Sequence, residues 1–157
     1  MEDVSRIYID TNIFITGFET RSDLAERIAM LFSSALIQTP PRFVTSELTL
    51  AELLVRPYRN HDAVLIDLYN SLISSSPWLE VWSVTREVLA AAASRRAGDS
   101  SRKLPDAVHI ATAGLAGCSH LLSADKGIGP AQGESLPFSR LQPDRQTIEK
   151  LIESLGR

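Results

Sequence analysis

At 157 residues, the chain is long enough for one domain with a substantial hydrophobic core and too short for two ordinary domains. Its hydrophobic content of 44% argues against disorder, and its apolar runs fall far short of the roughly 18 residues that a membrane-spanning helix needs. A net charge of −3 and a pI of about 5.6 argue against binding of nucleic acid through bulk positive charge. We therefore expect one domain over residues 1–157.

Two features predict the compartment. The start, MEDVSRIY, lacks the basic stretch before an apolar run that is typical of a secretory signal. The lone Cys118 excludes an intramolecular disulfide and a cysteine-based zinc site, and it fits a reducing environment. A cytoplasmic protein without membrane association is expected.

The first half of the chain alternates short apolar runs with segments of helical periodicity. In chain order these patterns predict a strand at 7–10, a helix at 22–37 capped by Ser22, a strand at 42–46, a helix at 46–55 ended by Pro57 and a helix at 62–74.

The second half continues the alternation. It predicts a strand at 79–84, a helix at 86–97, a helix at 105–116 ending near Gly117, a strand at 120–124, a loop at 126–137 and a helix at 144–155. Strands that alternate with helices predict an α/β domain, with a mainly parallel sheet and helices on both faces.

Three acidic residues fall where this topology brings them to one edge of the sheet. Asp10 ends the first strand, and Asp125 follows the strand at 120–124. Asp106 lies in the first turn of the helix that leads into that strand, so it also faces the carboxyl edge, where such sheets bind ligands. Like charges gathered there repel unless a cation neutralises them, which favours a metal site.

Each of the three also has a purely structural alternative. Asp10 can cap a short helix that begins at Thr11. Asp106 can interact with its helix dipole, worth about 0.3–1 kcal/mol, and Asp125 can be a turn residue. The structural role is the better interpretation of each residue alone, whereas the convergence of all three favours metal binding.

Glu52 is the fourth candidate because of the helix that carries it. Residues 46–55 are apolar nearly all round, which predicts a buried helix on which a carboxylate needs a partner. Glu47 lies in the first turn, where the helix dipole accounts for it. All four candidates are hard oxygen ligands without clustered Cys or His, a composition that selects Mg²⁺ or Mn²⁺ over zinc or copper.

Four segments, in this order, resemble the PIN-domain family and in particular its bacterial VapC-type toxin ribonucleases: YIDTNIFI, TLAELLVRP, LPDAVHIATA and HLLSADKGI. The family pattern has an Asp after the first strand, a Glu in the helix after the second, an Asp opening a later helix and an Asp after a late strand. Carried over position by position, the resemblance implies that the catalytic and metal-binding residues are Asp10, Glu52, Asp106 and Asp125. It covers about residues 5–130, and the Gly- and Pro-containing segment 126–139 departs from the pattern.

The resemblance implies a PIN-like three-layer α/β/α sandwich with a small, mainly parallel sheet, and cleavage of RNA that depends on Mg²⁺ or Mn²⁺. It also implies a homodimer and a cognate antitoxin protein, as in type II toxin–antitoxin pairs. Small polar residues assist the acids in family members, and Thr11, Asn12 and Ser123 match those positions. Phosphodiester hydrolysis needs an activated water and stabilised charge on the attacking and leaving oxygens, which one or two divalent ions supply.

Basic residues near the predicted site are candidates for binding RNA phosphates: Arg95, Arg96, Arg102, Lys103 and Lys126. Such contacts would reconcile an acidic chain with a polyanionic substrate, and a solvated surface is the structural alternative. His109, one turn after Asp106, is interpreted as a hydrogen-bonded or core residue rather than a general base.

The sequence leaves three competing interpretations. A Rossmann domain is disfavoured because no G-x-G-x-x-G follows the first strand. A haloacid-dehalogenase-like phosphatase is disfavoured because Asn12 stands where a second Asp is expected. The remaining alternative is a PIN-like domain that acts as a non-catalytic protein- or RNA-binding module, and the presence of all four acids argues against it.

Overall fold

The computed structural model describes residues 4–35 and 38–156. Its sheet is formed by β1 (Ile7–Ile9), β2 (Phe43–Ser46), β3 (Leu79–Trp82), β4 (His120–Leu122) and β5 (Ser139–Leu141). The strands are all parallel and lie in the order β3-β2-β1-β4-β5. The predicted parallel α/β sheet is confirmed, and β1 occupies its centre.

The described helices are α1 (Thr11–Glu19), α2 (Asp23–Ser33), α3 (Glu47–Arg59), α4 (Ala63–Leu72), α5 (Arg86–Gly98), α6 (Leu104–Leu115) and α7 (Arg145–Leu155). Side-chain caps fix several of their starts, as where Ser22 accepts from the Ala25 N–H at 3.1 Å. None of the helices in the described part of the chain is long and apolar enough to cross a membrane.

Strand alternation divides the hydrophobic core between the two faces of the sheet. Ile7 and Ile9 point to a core that also contains Phe14 of α1 and Leu151 of α7. Tyr8 points to the opposite face, where it packs in a second core with Val44, Ile110 and Leu121. Helices therefore cover both faces, as a three-layer α/β/α sandwich requires.

Helix α3 differs from its prediction in two ways. It continues through Pro57 to Arg59 instead of ending before the proline. Pro57 lacks an N–H, but it is buried, and its carbonyl accepts from the Asp62 N–H at 2.9 Å, so the last turn remains anchored. The helix is also only half buried, because Thr49, Leu53 and Pro57 face the core while Val55 is 54% exposed.

Two other boundaries differ. Helix α2 ends at Ser33 rather than 37, because the Ser34 hydroxyl bonds back to the Leu31 carbonyl at 2.8 Å and satisfies the helix end. The predicted positions Leu36 and Ile37 lie outside the described residues. Strand β5 was not predicted, because its short sequence SRL lacks an apolar alternation and its position is set by pairing with β4.

Candidate active site

Asp10 stands at the carboxyl end of the central strand and is 3% exposed. It caps α1, since Oδ1 accepts from the Thr11 N–H at 2.7 Å, so the helix-capping alternative is confirmed. Its Oδ2 accepts from Nδ2 of Asn12 and Oγ of Ser123, each at 2.5 Å. Burial raises the pKa of Asp10, against the lowering effect of the His109 charge and of these hydrogen bonds. The cap leaves the carboxylate fixed at the sheet edge.

Glu52 reaches the same edge from α3. Its side chain is 35% exposed, and Oε1 accepts from Oγ1 of Thr11 at 2.8 Å and from Nε2 of His109 at 2.6 Å. Burial acts to raise the pKa of Glu52, but the hydrogen bond and charge of His109 outweigh it and the pKa is lowered. The carboxylate therefore has the partner that its position demands and stays ionised.

His109 connects this carboxylate to the core. The ring is 1% exposed, and Nδ1 lies 2.7 Å from the hydroxyl of Tyr8, which is fully buried. Burial lowers the pKa of His109, but Glu52, Asp10 and Asp106 outweigh burial and raise it. Burial also keeps the Tyr8 phenol protonated by raising its pKa well above 10. Whether the ring is neutral or charged, Nε2–H donates to Glu52.

Asp106 and Asp125 form the second half of the acidic site. Asp106 is half-buried in the first turn of α6, and Asp125 is exposed on the loop after β4. A Cβ placed on Gly127 would lie 2.8 Å from Oδ2 of Asp106 and 3.2 Å from Oδ1 of Asp125. Both carboxylates thus face one point. Burial and then the Asp125 charge raise the pKa of Asp106, and Asp10 adds to this effect.

The donor set fits a hard divalent cation, because every candidate ligand is a carboxylate oxygen. Within residues 4–35 and 38–156, no three His, Cys, Asp or Glu side chains are already arranged to hold a metal ion. Mg²⁺ typically takes one or two carboxylates and completes its shell with waters and substrate phosphates. The Asp106–Asp125 pair matches that requirement without a closed protein cage.

The basic residues divide into two groups. Arg95 and Arg102 both bind Glu134, with Nη–Oε distances of 2.7 and 2.6 Å, and Arg102 is 5% exposed. Arg96 donates from Nε to the Arg102 carbonyl at 2.9 Å. The remaining two, Lys103 and Lys126, are exposed and make no salt bridge with any residue that the structure describes. The two lysines flank the Asp106–Asp125 pair.

Sequence reasoning missed three contributors to this site. The sequence indicates a role for Tyr8 only weakly, through a hydroxyl-bearing side chain on a buried strand. It indicates a role for Gly127 more strongly, because this glycine lies two residues after a candidate ligand. It indicates none for Arg140, because β5 was not predicted; the Arg140 Nη2 donates to the Asp125 carbonyl at 2.9 Å and holds the start of the loop.

The sequence model of the PIN domain matches residues 7–130. The chain belongs to the PIN-domain family. Solved structures share the fold of this PIN domain, among them FitAcB from Neisseria gonorrhoeae, with a TM-score of 0.62 and 17% identity over 87% of this chain and 97% of that one. A search of curated protein sequences returned no match.

Two further structures have comparable likeness. A toxin–antitoxin complex from Klebsiella pneumoniae gives a TM-score of 0.58 and 22% identity over 85% of this chain and 98% of that chain. VapC20 from Mycobacterium tuberculosis, described as a toxin that cleaves the sarcin–ricin loop, gives 0.59 and 18% over 73% of this chain and 86% of that one. At identities this low, the structural likeness shows that these proteins share the fold of the PIN domain and nothing beyond the fold.

Proposed function

We propose that this PIN domain is a metal-dependent endoribonuclease whose metal ligands and catalytic residues are Asp10, Glu52, Asp106 and Asp125. The observation that carries the proposal is the approach of Asp106 and Asp125 to one point beside Gly127. The Asp125 charge raises the pKa of Asp106, so holding these two carboxylates together costs stability, and a divalent cation removes that cost.

Different residues of the chain orient the carboxylates and contact the RNA. Asn12 and Ser123 hold Asp10, and Thr11 and His109 hold Glu52, so both carboxylates keep a fixed orientation. Bound Mg²⁺ or Mn²⁺ supplies water activation and neutralises charge on the phosphoryl group. Lys103 and Lys126, which have no salt-bridge partner among the residues described, contact phosphates of the strand on either side of the cleaved bond.

In the cell, the enzyme is the cytoplasmic toxin of a type II toxin–antitoxin pair, acts as a homodimer and is inhibited by a cognate antitoxin protein. Support comes from the family and from neighbours in fold that are described as toxin–antitoxin complexes. A gene for a small DNA-binding protein immediately upstream would support the pairing. Sedimentation of the purified chain would test the homodimer.

Incubation of the purified protein with total RNA, with Mg²⁺ or Mn²⁺, tests the activity. The proposal predicts discrete new RNA ends that disappear with EDTA and with Asp10→Asn. Cleavage that survives Asp10→Asn would refute the assignment of the site. RNA binding without cleavage under any metal condition would favour the alternative, a PIN-like domain that serves as a non-catalytic protein- or RNA-binding module.

A further inference from the structure

A cleft of about 530 Å³ lies between the C-terminal half of α5 and the segment 131–134. Ala91, Ser94 and Gly98 line its helical side, and Gln132 lines the opposite side. It adjoins a second cavity of about 300 Å³ that contains Asp106 and Asp125, because both are bordered by the same two residues, Asp99 and Ala131. The larger cleft therefore lies next to the cavity of the acidic site, with Asp99 and Ala131 at their common border.

The wall of the larger cleft is held in place by a clamp of three residues: Arg95, Arg102 and Glu134. Both arginines donate to the Glu134 carboxylate, which also accepts from the Ala131 N–H at 2.9 Å. Arg102 donates in addition to the Gly129 carbonyl at 2.9 Å. The segment after Gly127 is thus tied to α5 and to the loop before α6, so the cleft is a built feature of the fold.

The two cavities differ in the charged residues that line them. The smaller cavity has three carboxylates in its lining, and two of its cations, Lys103 and Lys126, have no salt-bridge partner among the described residues. With a divalent cation on the carboxylates, it suits phosphate groups. In the larger one, Arg95 is the one cation among the described lining residues, and it is already paired with Glu134 beside Asp99. With no cation free of an ion pair among its described lining residues, the larger cleft attracts a phosphate poorly and suits a neutral group that forms hydrogen bonds.

We propose that the larger cleft holds an unpaired base of the RNA strand whose phosphate lies at Asp106 and Asp125. This inference rests on the proposed nuclease function and adds a base-binding subsite to it. The volume is that of a small-molecule site, and Ser94 and Gln132 offer hydroxyl and amide groups to a base edge. RNA-binding proteins read unpaired nucleotides whose bases are splayed out in this way.

Gly98 lines the cleft and provides a position at which a side chain can be added. A Cβ at this position meets no atom within 4 Å, and Gly98 is the last residue of α5, so Gly98→Phe places a ring in open space. Ala93→Phe is the matched control, because Ala93 is exposed on the same helix and does not line the cleft. Thermal unfolding of both variants checks that the fold is retained.

Binding is measured with Mg²⁺ in an Asp10→Asn background, which prevents cleavage, by fluorescence anisotropy of a short unstructured oligoribonucleotide. A second series of oligonucleotides lacks one base at each position in turn. We expect Gly98→Phe to weaken binding roughly 10-fold, the equivalent of one or two hydrogen bonds, while Ala93→Phe binds like the parent. One abasic position should weaken the parent and leave Gly98→Phe unaffected.

The inference is overturned if the parent does not bind, if Gly98→Phe binds as tightly as the parent, or if both phenylalanine variants are weakened equally. It is also overturned if no abasic position distinguishes parent from Gly98→Phe. Cleavage by the native chain is assayed in parallel. Absence of cleavage refutes the proposed function, whereas the cleft is judged on binding alone, so the two failures are distinguishable.

Discussion

His109 donates from Nε2 to Oε1 of Glu52 across 2.6 Å, and its other ring nitrogen lies 2.7 Å from the Tyr8 hydroxyl. The three residues come from α6, α3 and β1, so one hydrogen-bonded chain crosses the layer between the sheet and two helices. Its inner members are buried and its outer member is a candidate metal ligand. The orientation of Glu52 is therefore set from within the core.

Tyr8→Phe is expected to lower activity because it breaks the hydrogen bonds that link Tyr8, His109 and Glu52. Loss of the hydroxyl removes the partner of His109 Nδ1 and lets the ring turn away from Glu52, which should reduce Mn²⁺ affinity and cleavage rate by roughly 10-fold. Tyr69→Phe is the matched control, because Tyr69 is also a buried tyrosine with a hydrogen-bonded hydroxyl, which donates to the Glu19 carboxylate at 2.6 Å.

Both substitutions should lower the free energy of unfolding by about 1–2 kcal/mol, measured by urea denaturation. Only Tyr8→Phe should lower the cleavage rate. Equal cleavage by the two variants would mean that the Tyr8–His109 contact serves stability alone.

Gly127→Ala is expected to disturb the acidic site more than the fold. The added methyl group would lie 2.8 Å from Oδ2 of Asp106, so that carboxylate must turn away from Asp125. Isothermal titration should show weaker Mn²⁺ binding. The control is Gly156→Ala, whose added Cβ meets only the Ile152 and Glu153 carbonyl oxygens, at 3.5 and 4.0 Å. A Gly127→Ala protein with unaltered Mn²⁺ affinity would argue that Asp106 and Asp125 do not share an ion.

Asp125→Asn separates electrostatic repulsion from metal binding. The change removes the charge that raises the pKa of Asp106, so without metal the unfolding free energy should stay the same or rise by up to about 1 kcal/mol. Millimolar Mn²⁺ should raise the Tm of the native chain, because it binds the folded state, and should not raise the Tm of the variant.

Asp67→Asn, on the exposed face of α4, is the control and should keep the full Mn²⁺ shift. An Mn²⁺ shift of native size in Asp125→Asn would exclude Asp125 as a ligand.

The clamp of Arg95, Arg102 and Glu134 predicts that stability depends on pH. Burial acts to raise the pKa of Glu134, but bonds from Ala131, Arg95 and Arg102 outweigh it and lower the pKa below its usual 4.5. The stabilisation by the carboxylate is therefore complete above pH 4.5 and is lost as the pH falls through the folded-state pKa.

Glu134→Gln should be less stable than the native chain by roughly 1–3 kcal/mol at neutral pH, measured by urea denaturation. The difference should shrink as the pH falls below 4.5. A difference that is constant from pH 7 to pH 3 would mean that the Glu134 charge does not contribute.

The sequence predicted the parts of the fold that local pattern determines. The strand before Asp10, the capped start of α2 at Ser22 and the alternation of strands and helices follow from periodicity and capping residues. Those same patterns predicted that acids distant along the chain meet at one sheet edge. The structure places Asp10 beside Ser123, 113 positions away, by pairing β1 with β4.

The features that the sequence did not predict depend on contacts between distant residues. The burial of Pro57 keeps α3 helical through the proline, and pairing with β4 creates β5 from an unpatterned tripeptide. Tyr8 and His109 are 101 positions apart, and nothing in either local sequence indicates their hydrogen bond. The clamp around Glu134 likewise joins a loop to residues 32 and 39 positions earlier. Tertiary packing decided each of these features.

Single-turnover cleavage with saturating enzyme tests the central claim most directly, because it isolates the chemical step from RNA binding and product release. Native protein, Asp106→Asn and Asp125→Asn are compared over a titration of Mn²⁺ on an RNA that the native chain cuts. We predict a metal-dependent native rate and rates at least roughly 100-fold lower for both variants at equal Mn²⁺. Native-like rates in either variant, or a native rate independent of metal, would contradict the account.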